Sequence, residues 1–168
     1  MKTAHSKTVQ KQMGKQPAPG TTAGYSGTPL PKKLGIRENY SFLLVNAPER
    51  FERKLEPLPD GAQLVDDPAL YQPQRARKGT KENEVGARVA VLFAGSEADL
   101  VRDFRPLVKT LPEKVALWIA WPKKASGVKT DLNENVVREF GLAAGWVDYK
   151  VCAIDETWSG LCFARRKK

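Results

Sequence analysis

Apolar runs of strand length recur along the chain and alternate with segments whose apolar residues follow helical spacing. The runs YSFLLVNA (40–47), AQLVDD (62–67), ARVAVLFA (87–94) and VALWIAW (115–121) predict four strands. Two further runs, VDYKVCAI and GLCFARR, flank the polar turn DETWSG and predict a closing antiparallel hairpin. Because the runs place apolar residues on both faces, we expect a mostly parallel sheet covered by helices.

Two short helices are predicted in the first half of the chain. In TPLPKKLGI, Thr28 can cap a helix, Pro29 suits its first position, and Gly35 can close it. In PERFERKLEPL, the phenylalanine and the two leucines repeat at helical spacing. The first helix would open the folded part, and the second would connect the first two strands.

Two longer helices are predicted after the third and fourth strands. Ser96 is a good N-cap residue for EADLVRDFRPLVKTL, and the interior Pro106 predicts that this helix is kinked or divided. The other helix is predicted to begin at Asp131, where Glu134 three residues later would complete a capping box. Glycines at positions 141 and 145 would unwind its end.

This alternation predicts an α/β fold, a Rossmann-like three-layer sandwich. Its mostly parallel sheet would have about five or six strands and end in the antiparallel hairpin. Residues 28–166 are expected to form a single α/β domain. Residues 1–27 are predicted to be a disordered basic tail, since they offer almost nothing to bury, and the polar segment 68–86 is predicted to be a mobile loop.

The net charge of +9 raises the question of a polyanionic partner. Residues 1–24 hold four lysines and no acid, and the last four residues are all cationic, which leaves +1 for residues 25–164. This distribution argues against a basic groove within the fold. The tails are expected to act mainly as solvated extensions, with weak, salt-dependent binding of nucleic acid as the alternative.

The residue inventory excludes several classes of chemistry. The only histidine, His5, lies in the predicted tail, so histidine-dependent catalysis and the usual zinc sites are not expected. Cys152 and Cys162 provide neither a disulfide framework nor a metal-ligand pattern and are expected to be buried packing residues. Neither a secretory signal nor a membrane-spanning run is present, so a cytoplasmic protein without a bound metal or cofactor is expected.

A candidate ligand site lies where the predicted strands end, because loops at the carboxyl ends of parallel strands meet at one edge. The basic loop after the fourth strand and the DETWSG turn would face each other there. We expect a small anionic ligand to be bound by Lys123, Lys124, Ser126, Gly127, Asp155, Glu156, Trp158 and Asn46. Two structural alternatives remain open: Lys123 could simply pair with Glu156, and Trp158 could cover the hairpin.

Four sequence blocks resemble the signature of an uncharacterised bacterial family. These are TPLPKKLGI, LLVNAPERF, LWIAWPKKASGVKTDL and KVCAIDETWSGLCFARR, which together extend over roughly residues 25–166. The resemblance implies a small cytoplasmic bacterial α/β domain and assigns no reaction and no catalytic residue. The segment 68–86 is fuller than the family pattern.

The order of elements, with its closing hairpin, also resembles the S-adenosylmethionine-dependent methyltransferase fold. That fold implies a glycine-rich loop after the first strand, but here the segment reads Asn46-Ala47-Pro48. Asp66 stands where an acid would hold ribose hydroxyls. We therefore expect a non-catalytic binding or regulatory protein for an anionic or phosphate-bearing ligand, with a divergent methyltransferase-like enzyme as the alternative.

Overall fold

The computed structural model describes residues 27–65 and 87–168. The predicted tail up to residue 26, the loop 68–86 and Asp66 lie outside the described residues. The elements, in chain order, are α1 (Leu30–Leu34), β1 (Ser41–Val45), a first 3-10 helix (Phe51–Leu55), β2 (Gln63–Val65), β3 (Ala87–Phe93), α2 (Glu97–Thr110), β4 (Ala116–Pro122), a second 3-10 helix (Lys124–Ser126), α3 (Glu134–Ala143), β5 (Trp146–Ala153) and β6 (Trp158–Arg165).

The strands form one six-stranded mixed sheet in the order β2-β1-β3-β4-β6-β5. Strands β2, β1, β3 and β4 pair in parallel, whereas β6 is antiparallel to both of its neighbours. Because β6 reverses direction between β4 and β5, β5 runs parallel to the first four strands. The predicted Rossmann-like α/β fold with a closing antiparallel hairpin is confirmed.

Each face of the sheet carries its own hydrophobic core, as a three-layer sandwich requires. Alternate residues of β3 divide between the two: Ala90 and Leu92 pack on the α2–α3 side, and Val89 and Val91 pack on the other. The first core includes Leu100, Phe104, Leu107 and Val137 from the helices. Among the described residues, the second is covered by short elements, namely α1 and the first 3-10 helix.

The helices differ from the sequence predictions in several places. The second predicted helix is a 3-10 helix that buries Phe51 and Leu55. The helix α2 is continuous through Pro106, which lies on its exposed face. Because proline has no N–H, the carbonyl four residues earlier lacks its helical partner, and water can solvate it on this face. Gly141 stays inside α3 and faces the ring of Phe163.

The predicted start of α3 at Asp131 is wrong, and so is the capping box with Glu134. The helix begins three residues later, where the Asn133 side chain accepts a hydrogen bond from the Val136 N–H. Leu132 is buried in the core and holds the preceding segment against the sheet. The Asp131 carboxylate instead accepts a 2.8 Å hydrogen bond from the Glu97 N–H, so it caps α2.

Candidate functional site

The two loops predicted to face each other are adjacent at the carboxyl edge of the sheet. In the β4–β6 register, Pro122 pairs with Trp158, and the Lys123 N–H donates a 2.7 Å hydrogen bond to the Thr157 carbonyl. The antiparallel pairing therefore continues past the end of β4 into the turn. The parallel direction of β5 is what brings the DETWSG turn to this edge.

Asp155 is the buried charge of this edge, with only 7% of its surface exposed. One carboxylate oxygen accepts hydrogen bonds of 2.8 Å from the backbone N–H groups of both Thr157 and Trp158. The other lies 2.7 Å from the Lys54 ammonium. Burial favours the neutral acid, but these donors outweigh it and hold the pKa of Asp155 below its ordinary value. Asp155 is thus a turn-stabilising carboxylate at neutral pH.

The pairing of Lys123 with Glu156, which the sequence left open, is not found among the ion pairs of the described residues. The partner of Asp155 is Lys54, from the first 3-10 helix. Sequence reasoning missed Lys54, although a signal was present. It follows the buried Phe51 by three positions, and side chains at that spacing share one face of a 3-10 helix.

Three other predicted ligand-binding side chains have partners within the fold. The Asn46 amide donates a 2.7 Å hydrogen bond to Asp103 on α2. The Trp158 ring packs edge-on against Phe93 of β3, 5.0 Å between centroids, so it covers the core next to β3. The Ser126 hydroxyl donates to the Lys123 carbonyl at 2.6 Å and so closes its own loop, which continues into Gly127 at a φ of 76°.

A cavity of about 410 Å³ remains beside this loop. It lies between the end of β4 and the segment that leads into α3, and Lys124 and Lys129 are its two cationic lining residues. Asp131 also lines it, and a carboxylate there opposes anion binding. Of the predicted site residues, only Lys124 borders this cavity.

A larger cavity, of about 780 Å³, lies at the opposite, amino-terminal edge of the parallel strands. It is bordered by α1, by the beginnings of β3 and β4, and by parts of β5 and β6. Of the carboxylate side chains in the described part of the chain, that of Glu113 lines it. The cationic side chains in its lining are Lys32, Lys33, Arg37, Arg88, Lys114, Lys150 and Lys167.

This cavity corrects the conclusion that the fold carries no basic groove. The charge summed over residues 25–164 is small, but the positive charges gather at the amino-terminal edge. Many of the acids lie elsewhere, for example Asp99 and Asp103 on α2 and Glu134 at the start of α3. A sum along the sequence cannot reveal this separation in space.

The walls of the amino-edge cavity are held by contacts between cations, aromatic rings and α1. The Lys150 ammonium lies 5.9 Å from the Trp118 ring centroid and donates a 2.7 Å hydrogen bond to the Lys33 carbonyl. The Trp118 indole N–H donates to the Leu34 carbonyl at 2.9 Å. These bonds satisfy carbonyl groups at the end of α1 and fix the helix over the sheet.

Both cysteines of the hairpin are protonated thiols at neutral pH. Burial raises the pKa of Cys162 to about 12, although its S–H donates at 3.1 Å to the hydroxyl of Tyr149. Burial also raises the pKa of Cys152. The expectation of a buried packing residue agrees with the environment of Cys162, whereas Cys152 is only half-buried. Within residues 27–65 and 87–168, no group of three or more potential metal ligands is found, and no helix is long and apolar enough to span a membrane.

No protein-family model matches the chain, and no curated protein matches it in sequence. Among solved structures, the chain is similar to a variant of LepI in complex with SAH and a substrate analogue, with a TM-score of 0.45 and 14% identity, over 82% of this chain and 47% of that one. It is also similar to LepI in complex with SAM, at a TM-score of 0.42 and 13% identity, with the same coverage. The chain spans about half the length of those proteins. Similarity this low carries no argument about ligand or activity.

Proposed function

We propose that the protein is a non-catalytic binding protein for an anionic, phosphate-bearing ligand, and that its ligand site is the basic cavity at the amino-terminal edge of the sheet. The carrying observation is the lining of that cavity, to which the described residues contribute seven cationic side chains and one carboxylate. Such a concentration of positive charge attracts an anion. The carboxyl-edge cavity offers two lysines and an opposing aspartate, so it is the second candidate site.

A binding role is favoured over catalysis by the state of the titratable groups. Asp155 is engaged by Lys54 and by two backbone N–H groups, so it has no free oxygen placed for proton transfer. The cysteine thiols stay protonated at neutral pH because burial raises the pKa of each. Asp155 and the two thiols are thus not poised for acid–base or nucleophilic chemistry.

The methyltransferase-like alternative has one supporting observation, the antiparallel hairpin that closes the sheet. The exit of β1 does not fit the cofactor that this alternative implies. Ala47 carries a Cβ and Pro48 lacks an N–H where the backbone would have to approach S-adenosylmethionine closely. The hydrogen bond between Asn46 and Asp103 further ties this exit to α2. Membership of the uncharacterised bacterial family and a cytoplasmic location remain parts of the proposal that need their own tests.

The test is calorimetric titration of the full chain with inorganic pyrophosphate at low ionic strength. The variant Lys32→Ala/Arg37→Ala removes two exposed charges from the amino-edge cavity, and Lys124→Ala/Lys129→Ala removes two exposed charges from the carboxyl-edge cavity. The two variants have the same net charge and therefore control for each other. Exposed charges contribute little to folding, so both should melt close to the parent temperature.

We expect the amino-edge variant to weaken pyrophosphate binding about tenfold, which corresponds to about 1.4 kcal/mol. The carboxyl-edge variant should bind nearly as the parent chain does. A larger loss of pyrophosphate affinity in the carboxyl-edge variant would place the site at the loops predicted from the sequence. An absence of pyrophosphate binding by the parent chain would refute the proposed function.

A further inference from the structure

The basic cavity continues into a second recess. This recess, of about 660 Å³, shares Glu113, Lys114 and Lys167 with the first. It adds Arg165, Arg166 and Lys168, so the described residues of the two linings together include ten cationic side chains and one carboxylate side chain, that of Glu113. The result is an elongated basic surface, which we call the amino-edge groove and define by the linings of the two recesses.

The elongated form of the groove favours a chain of charges over one compact anion. A single phosphate or pyrophosphate can engage only the few cations nearest to it. A ligand with negative charges at intervals along its length can pair with cations that are spread over two joined recesses. The N-terminal segment, with four lysines and no acid in residues 1–24, also joins the fold directly before α1, which borders this groove. Charge complementarity therefore points to a polyanion.

Aromatic rings in the groove indicate which class of polyanion it binds. Tyr149 is 60% exposed, and its hydroxyl accepts the Cys162 S–H, which restricts where the ring can lie. Tyr40 also lines the groove, with the Arg88 guanidinium 5.9 Å from its ring centroid. Rings beside cations are the means by which proteins stack the bases of single strands while holding the phosphates. In a duplex, by contrast, the base faces are already stacked on one another.

We infer that the amino-edge groove binds single-stranded nucleic acid, with phosphates along its lysines and arginines and a base stacked on Tyr149. This inference rests on the proposed function for the location of the site and adds the class of ligand. It differs from tail-mediated binding because it assigns the recognition to side chains of the folded domain.

The experiment is fluorescence anisotropy of the full chain with a labelled oligo(dT) of about 15 nucleotides, a length within the range of single-strand sites. Binding should weaken steeply with salt. In Lys32→Ala/Arg37→Ala, the magnitude of the slope of log K against log [salt] should fall by about 1.4, because each phosphate contact contributes about 0.7. The matched control Lys124→Ala/Lys129→Ala should keep the parent slope.

The stacking role of Tyr149 is tested separately from charge. Tyr149→Ala should weaken oligo(dT) binding about fivefold or more, whereas Tyr149→Phe, which keeps the ring, should bind as the parent chain does. Neither change should affect pyrophosphate binding. Because the side chain is largely exposed, both variants should fold.

Several results would overturn the inference. Binding of pyrophosphate without binding of oligo(dT) would refute the nucleic-acid assignment and leave the proposed function intact, whereas binding of neither would refute both. Equal affinity for oligo(dT) and polyglutamate, or for single and double strands, would show a general polyanion surface. Complete loss of binding when the four tail lysines are changed to glutamine would assign the binding to the tail.

Discussion

Replacing Asp155 with alanine should show that this residue stabilises the fold and does not bind the ligand. The carboxylate accepts three hydrogen bonds, from the Thr157 and Trp158 N–H groups and from Lys54. Alanine removes all three acceptors and leaves two backbone N–H groups of a tight turn without partners. The perturbation is local, since the turn joins only β5 and β6.

The expected loss of stability follows from the surroundings of each of these hydrogen bonds. A hydrogen bond to a charged group contributes about 1.5–3 kcal/mol, so loss of the two backbone bonds should cost about 3–4 kcal/mol of unfolding free energy after allowing for partial solvation. The Lys54 side chain is 50% exposed, so its ion pair should contribute only about 0–1 kcal/mol. Asp155→Asn keeps an acceptor for the turn and should lose about 1 kcal/mol, and Lys54→Met should lose less than that.

Urea denaturation followed by tryptophan fluorescence measures these differences. At pH 7 the stability should decrease in the order parent, Lys54→Met, Asp155→Asn and Asp155→Ala. The pKa of Asp155 is lowered in the fold from its ordinary value of 3.8. Its contribution to the unfolding free energy is therefore complete above about pH 3.8 and is lost as the pH falls through the folded pKa. The parent should therefore lose stability in acid that Asp155→Asn does not lose. A cost below about 0.5 kcal/mol for Asp155→Ala would refute this reasoning.

Three further predictions concern the core, the thiols and the cofactor. Gly141→Ala should destabilise the fold by about 1–3 kcal/mol in the same urea assay, because its Cβ would overlap the buried Phe163 ring, and a gain in stability would contradict this packing. Cys162 should react at pH 8 at least about a hundredfold more slowly in the native chain than in the denatured one, as measured with a chromogenic disulfide reagent, and Cys152 should also react more slowly. The stability that the Cys162 thiol contributes should be complete below pH 9.0 and be lost as the pH rises towards about 12. Calorimetry with S-adenosylmethionine should show no saturable binding, and a clear isotherm would restore the methyltransferase alternative.

The sheet could be predicted from sequence because its strands are long and apolar. The β3 and β4 runs place large side chains on both faces, and only a covered parallel sheet buries both. The hairpin was equally clear, since the polar turn separates two runs of similar length. The N-cap Ser96 was also found, because its signal is local: its hydroxyl accepts from the Asp99 N–H.

The start of α3 could not be predicted because two segments had similar capping chemistry. Asp131 with Glu134 satisfies the capping-box spacing as well as Asn133 does by itself. The choice was decided by tertiary structure, since the core holds Leu132 and the free N–H of Glu97 on another helix takes the Asp131 carboxylate. Neither partner is visible in a local window.

The basic cavity could not be predicted either, because it also depends on tertiary structure. Lys32 lies on α1, Arg88 on β3 and Lys150 on β5, so more than 100 residues of sequence separate cations that share one recess. Only the strand order brings them together. The rule that ligands bind at the carboxyl ends of parallel strands predicts a site at the opposite edge. At that edge, most of the predicted ligand-binding side chains hold the loops in place.

The most direct test of the ligand site is an NMR titration of the isotope-labelled full chain with inorganic pyrophosphate. The largest changes in backbone amide shift should fall around Gly35, Arg88 and Val115, which border the amino-edge cavity. Amides from Lys124 to Thr130 should move little. Changes concentrated at Lys124–Thr130, with the amino-edge amides unmoved, would contradict the account and place the anion at the carboxyl edge.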